Sequence, residues 1–275
     1  DVLGGGPLGG PFGYRNATGA FYAQAAIAGL LLAATVRWLP VRLVAFLAAG
    51  GFALVAVIGS SAAAASLAVV PIALLALGGR VWARVSVAVA GVLVLLVLAG
   101  TVVLGATYRP GSDGEVVRAL SERRLVLWHE SLRLIADHPG GVGPGRFRDV
   151  DPTARRDADA RWAHNEFLQQ GVELGWAGLV LTVLLFAWGF ARLLVRPDPD
   201  VAVGLGAAAL AALGIHASVD YVLHFAAVPL TAAALVGTAQ AAPIRRFRRG
   251  RHEPGQEDLE GGADAVRVAG TTTSR

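Results

Sequence analysis

Apolar and polar positions along this chain change over in long blocks. Seven apolar runs, at about residues 18–36, 43–59, 62–77, 85–106, 174–194, 201–217 and 221–241, are separated by polar links. A helix of about 17–25 apolar residues crosses a hydrocarbon core of about 30 Å. The pattern therefore predicts an all-α polytopic membrane protein with about seven transmembrane helices. One polar stretch is far longer than the others and predicts a large helical extracytoplasmic loop between the fourth and fifth spans. The expected organisation is residues 1–106 for an N-terminal loop and four spans, 107–172 for the loop, 173–241 for three spans, and 242–275 for a disordered basic tail.

Arginines orient these spans. Arg37 and Arg42 follow the first run, Arg80 and Arg84 the third, Arg192 and Arg196 the fifth, and Arg245, Arg246, Arg248, Arg249 and Arg251 the seventh. Seven alternating spans put all four groups on one side, which the positive-inside rule makes cytoplasmic. The loop and the turns at 59–61 and 216–224 then share the outer side of a bacterial cytoplasmic membrane. Composition agrees: the chain is 55% hydrophobic and 16% charged, against about 25% charged in soluble domains. Without cysteine it has neither disulfide nor thiolate chemistry. The excess of basic charge sits largely in the tail, so nucleic acid is not an expected partner; the lipid bilayer is. A chain that begins at Asp1 and contains no methionine reads as a fragment or processed piece with N-terminal spans missing, and residues 1–13 do not read as a signal peptide.

The long loop has its own pattern. Ser112-Asp113-Gly114-Glu115 is a capping box. Residues 115–137 alternate leucine, valine and isoleucine with charges, as amphipathic helices lying on a membrane do. Pro139-Gly140-Gly141-Val142-Gly143-Pro144-Gly145 reads as a compound turn, with no strand before it to make it a phosphate loop. Arg109, Arg118, Arg123, Arg124, Arg133, Arg146, Arg148, Arg155, Arg156 and Arg161 all fall here. Ordered arginine beside a membrane suits lipid phosphate or a diphosphate.

The loop re-enters the membrane through Arg161-Trp162-Ala163-His164-Asn165-Glu166 and on to Trp176. At helical spacing His164, Leu168, Gly171 and Gly175 share a face, with Asn165 beside them. Glu173 lies one turn inside the expected membrane, where a carboxylate is costly; an outer arginine is its expected partner. His216, Asp220 and His224 are spaced i, i+4, i+8. On an unbroken helix they span about 12 Å, too far for one ion; no metal site and no cofactor are expected, and His216 and Asp220 are read as lining an outer cavity. Trp82, Trp162 and Trp176 suit interface anchoring.

Four patches resemble the O-antigen ligase/polymerase superfamily of bacterial membrane glycosyltransferases. Phe12-Gly13-Tyr14-Arg15-Asn16-Ala17 is similar to its Gly-x-x-Asn patch before a span. Arg124 to Trp128, with Asp137-His138-Pro139 through Phe147, resembles its Arg-x-x-x-Trp and His-Pro-x-x-Gly-x-Gly-x-x-Phe signatures. Ala163-His164-Asn165-Glu166-Phe167-Leu168 through Glu173-Leu174-Gly175 resembles its His-Asn-x-x-Leu and Glu-x-Gly signature. His216 to Tyr221 resembles its penultimate outer turn. The resemblance implies metal-independent transfer of a glycan from a polyprenyl (undecaprenyl) diphosphate to an acceptor hydroxyl on lipid, polysaccharide or protein glycan, in ligase or polymerase form. It implies Arg124 and His164 as catalytic residues. Asn165, Arg123, Arg146, Arg161, Trp128, His216 and Asp220 are the expected substrate-binding residues. The family often carries Ser-Arg where this chain has Ser60-Ser61, and Arg123, Arg146 or Arg161 is expected to compensate. The chemistry is coherent: a leaving diphosphate needs fixed cations, and an acceptor hydroxyl needs a base with a pKa near neutrality. Two other readings use the same features: a transporter of a small, bicarbonate-like anion, and a non-catalytic subunit of a polysaccharide export complex.

Overall fold

The computed structural model describes residues 10–109, 122–157 and 160–241, and every regular element among them is helical. After a 3-10 turn at Gly10–Phe12 come α1 (Arg15–Thr35) and α2 (Leu39–Gly59). The next span is broken into α3 (Ser61–Leu67), α4 (Val70–Leu74) and a 3-10 turn (Leu75–Gly78). α5 (Arg80–Thr107) leads into the polar loop, where α6 (Glu122–Asp137), α7 (Phe147–Val150) and α8 (Pro152–Arg156) are short or amphipathic. α9 (Glu166–Leu194), α10 (Val201–Ala217), a 3-10 turn (Val222–His224) and α11 (Ala227–Gln240) complete the chain.

Five segments are long and apolar enough to cross a membrane: Arg15–Thr35, Leu39–Gly59, Ser61–Gly78, Arg80–Thr107 and Glu166–Leu194. α10 and α11 are apolar but shorter, at 17 and 14 residues. Large apolar side chains such as Leu47, Leu96 and Leu185 point away from the protein, as lipid-facing residues do. α10 is the opposite case and forms the axis of the packing. Almost all of it is buried, and its alanines and glycines let neighbours approach closely. A methyl group on Gly204 would fall 2.6 Å from the Ala73 carbonyl oxygen, and one on Gly206 would fall 2.6 Å from Ala239 Cβ.

The alternating path brings the start of α1, the end of α2, the end of α5, the start of α9 and the end of α10 to one end of the helices. At the other end Arg80 pairs with Asp198 at 2.6 Å, and Arg196 donates to the Ala239 carbonyl.

Three expectations change. Two more, the capping box at Ser112 and the basic tail, lie outside the described residues. α6 spends its apolar face on protein: Leu125, Leu127, Trp128 and Ile135 are buried with Tyr108, Phe147, Ala163 and Leu168. It is tied to α5 by His129, whose Nδ1–H donates to the Gly105 carbonyl at 3.0 Å. The seventh run becomes helical only at Ala227, because residues 218–226 form a turn. The fifth helix starts at Glu166, about two turns before the apolar run, and changes direction at Gly175 (φ 69°, ψ −161°). There the turn of residues 139–145 locks in through three backbone bonds: Trp176 N–H to Pro139 O at 3.1 Å, Val142 N–H to Val172 O at 3.0 Å, and Gly143 N–H to Glu173 O at 2.9 Å.

Candidate active site

The helix ends converge on one buried carboxylate. Asp220 sits in the turn after α10 and is fully buried. A carboxylate only accepts hydrogen bonds, and burying one is tolerated where donors surround it. Asp220 has five donor groups. Tyr14 Oη reaches Oδ1 at 2.9 Å and Oδ2 at 2.8 Å. The Tyr221 backbone N–H reaches Oδ1 at 2.8 Å, and His164 Nδ1 lies 3.1 Å from the same oxygen. Arg124 Nη2 lies 3.3 Å from Oδ2, which also accepts from Asn16 Nδ2. Burial alone would raise this carboxyl's pKa. The hydrogen bond from His164, with the Arg124 guanidinium, outweighs burial and holds it far below the usual carboxylate range. Asp220 is therefore an anion at any pH at which the protein works. Tyr14 moves the other way, raised by burial and then by the Asp220 charge, so it stays a phenol and a donor.

The ionised carboxylate also decides what His164 is. Its Nδ1 must carry the proton that faces Asp220, which in the neutral ring leaves the lone pair on Nε2. The imidazole is 14% exposed, so it is held but reachable. Its backbone is in the left-handed region (φ 49°), the only such residue besides glycine among those described. Such strain persists where surroundings over-determine it. Here Trp128 Nε1 donates to the His164 carbonyl at 3.1 Å, and the Tyr221 ring meets the imidazole edge-on at 5.0 Å.

The structure places the other expected residues as follows. His164 precedes α9 and so does not share its face with Leu168, Gly171 and Gly175. Asn165 is fully buried with its amide committed. Oδ1 caps α9 by accepting from Leu168 N–H at 3.1 Å, and Nδ2 donates to Ser218 O at 2.8 Å and Thr101 Oγ1 at 3.0 Å. These bonds hold the backbone next to His164 in place. Trp128 is fully buried too, and its indole N–H is used on His164, not on a ligand. His216 is buried inside α10, 1% exposed, with no hydrogen-bond partner for either ring nitrogen, and lines no open cavity. Because the helix ends at Ala217, Asp220 and His224 leave the face it occupies; His224 pairs instead with Glu166 at 2.9 Å. Arg123 pairs with Asp157 at 2.8 Å, Arg146 lies exposed 3.7 Å from Asp149, and Arg161 is exposed. Among the described residues Glu173 pairs with no arginine: it accepts from Gln169 Nε2 at 2.6 Å and from Gly145 N–H at 2.8 Å, joining α9 to the turn of residues 139–145.

Sequence reasoning missed Tyr14, Asn16 and Glu166 as site residues. Polar side chains at the start of an apolar run were the available signal for the first two. They matter because Tyr14 and Asn16 form the wall between Asp220 and a cavity of about 330 Å³ lined also by Arg15, Gly59, Ser60 and Ser61. Arg15 thus places a cation at the Ser60–Ser61 turn.

These features define a helical membrane protein whose polar centre, an imidazole and a guanidinium on one buried carboxylate, lies at the helix ends beneath an arginine-rich loop. The O-antigen ligase family profile matches residues 46–183, half of the chain, and the chain belongs to that family. It is accordingly a membrane protein of the O-antigen ligase/polymerase superfamily, whose members are glycosyltransferases of polysaccharide biosynthesis. The matched span contains Arg124 and His164; Tyr14, Asn16 and Asp220, which complete the cluster, lie outside it. No curated protein and no solved structure gives a significant match.

Proposed function

We propose that the protein transfers a glycan from a polyprenyl diphosphate to an acceptor hydroxyl at the outer face of the cytoplasmic membrane, as a ligase or polymerase and without a metal. The observation that carries this reading is the shared carboxylate: Asp220 holds His164 on one oxygen and Arg124 on the other. His164 Nε2 takes the acceptor proton as the acceptor oxygen bonds to the anomeric carbon. The bond from that carbon to the diphosphate breaks, and the carrier diphosphate leaves with the electron pair. Arg124 uses one nitrogen on Asp220 and has further N–H groups for the diphosphate. Its fixed charge acts where negative charge grows in the transition state. Arg15 supplies a second cation on the far side of the Tyr14–Asn16 wall.

The test is incubation of the purified chain with a polyprenyl-diphosphate glycan and a panel of hydroxyl acceptors, read by mass spectrometry. Transfer is expected in the parent and lost in His164→Ala and in Arg124→Ala. Transfer that survives both substitutions removes the assignment. Uptake of bicarbonate by reconstituted vesicles lacking any lipid-linked sugar would replace it with transport.

A further inference from the structure

A second carboxylate–imidazole pair lies beside the first and has no part in the transfer chemistry. Glu166, in the first turn of α9, is fully buried. Its Oε1 accepts from the Leu223 N–H at 2.8 Å and lies 2.9 Å from His224 Nδ1, while Oε2 is buried with no partner. His224 therefore keeps its Nδ1 proton on Glu166 and turns Nε2 away from it. Its side chain is 31% exposed, so the ring reaches the surface. Burial would lower its pKa, but the hydrogen bond and charge of Glu166 raise it above the usual imidazole value, which makes Nε2 a donor over a wider pH range.

The surroundings of this pair are aromatic. The half-buried Trp162 indole packs against the His224 ring with centroids 4.1 Å apart and stacks on Tyr221 at 5.9 Å. Tyr221 is the wedge between the two pairs, its ring 5.0 Å from His164 and 6.0 Å from His224. The two imidazole centroids therefore lie within about 11 Å of each other. Asp220 gives this arrangement a direction. Its Oδ2 holds Arg124, the group that faces a diphosphate, whereas its Oδ1 holds His164 and the Tyr221 backbone. Trp162 and His224 continue the Oδ1 side, the side of the base.

We infer that Trp162 and His224, with Glu166 fixing the imidazole, form a subsite for a pyranose ring of the acceptor glycan. A pyranose offers an apolar C–H face and a rim of hydroxyls. A half-exposed indole beside an oriented N–H supplies a partner for each. The inference rests on the transfer reading for the word acceptor, but saccharide binding itself does not.

The experiment uses the full chain in lipid nanodiscs on a printed array of carrier-free oligosaccharides, followed by transfer kinetics. Trp162→Ala and His224→Ala are expected to lower array binding about tenfold, the scale of one aromatic or hydrogen-bonded contact. Trp162→Phe keeps most of it. In transfer, the same two variants raise the acceptor KM about tenfold and leave kcat and the donor KM within about twofold. His164→Ala abolishes transfer and keeps array binding. A parent that binds no saccharide, or binding unchanged in both alanine variants with the protein monodisperse, overturns the subsite. Retained, Trp162-dependent array binding without any transfer overturns the transfer reading and leaves the subsite standing.

Discussion

Replacing Gly175 with alanine strikes the joint that sets the direction of α9. The residue sits at φ 69°, ψ −161°, a conformation that costs a non-glycine residue about 1–3 kcal/mol. The added Cβ would also meet backbone: 2.2 Å from Pro139 O, 2.6 Å from Gly140 C and 2.7 Å from Gly141 N. None of these is the end of a flexible side chain, so the turn of residues 139–145 has to move away. Moving it breaks the Trp176–Pro139, Val142–Val172 and Gly143–Glu173 backbone bonds, each worth about 1 kcal/mol net. The combined loss is on the order of 3–6 kcal/mol, a large share of a typical stability of about 5–15 kcal/mol. Gly140 is the internal control: it neighbours the same contact, its φ is not positive, and nothing lies within 4 Å of a methyl group there. The assay is thermal unfolding in detergent followed by size exclusion. Gly175→Ala is expected to fall far below the parent while Gly140→Ala stays within about 0.5 kcal/mol. Equal stability of Gly175→Ala and parent would refute the joint.

Asp220→Asn keeps the shape of the hub and removes its charge, so His164 loses the partner that fixes its tautomer; transfer is expected to fall about 10²–10⁴-fold, the contribution of a positioned base, in folded protein. Asn165→Ala removes the α9 cap and should cost about 1–2 kcal/mol of unfolding stability, with Asn165→Ser recovering part of it because serine caps as well. Asp151 caps α8 through Thr153 and Ala154, and Glu130 on α6 accepts from the same Thr153 N–H. Burial, and then the Glu130 charge, push the Asp151 carboxyl up to about 7, against those N–H groups. The folded state thus binds a proton that the unfolded chain releases near pH 4. Stability should fall as pH rises from about 4 to about 7, by on the order of 1–3 kcal/mol, and Glu130→Gln should flatten the curve of midpoint against pH.

What could be read from the sequence was whatever depends on blocks of composition. Apolar runs long enough for lipid show themselves without tertiary context, and five of them fall on segments long and apolar enough to cross a membrane. Arg124, His164 and Asp220 were legible in the sequence as separate candidates, but not as the partners they are around one carboxylate. Asp220 was read as one turn of a helix face because i, i+4, i+8 spacing cannot reveal that the helix stops at Ala217. Its partners Tyr14 and Asn16 are more than 200 residues away, and no periodicity connects them. The two backbone conformations that shape the centre, at His164 and Gly175, are imposed by packing that only the folded chain contains. The bonds of Asn165 and Trp128 were hidden for the same reason: the buried groups they meet are distant in sequence.

The shared carboxylate also resolves a problem that a bare cluster of cations would create. Two unopposed positive groups would hold the product diphosphate as firmly as they assist its departure, and uniform binding does not accelerate a reaction. With Asp220 ionised, Arg124 charged and His164 in the neutral form a base requires, the three side chains carry no net charge before reaction. On the proposed mechanism they carry one positive charge once His164 takes the acceptor proton, as the diphosphate gains its negative charge. The cationic field is thus strongest in the transition state, where it lowers the barrier. It relaxes once the imidazolium releases its proton, which frees the diphosphate to leave. Replacing Asp220 by asparagine makes the cluster permanently cationic, so on this argument the variant should bind inorganic diphosphate more tightly than the parent while transferring far less. Weaker diphosphate binding in Asp220→Asn, measured by calorimetry, would show that the carboxylate holds Arg124 in place and does not balance its charge.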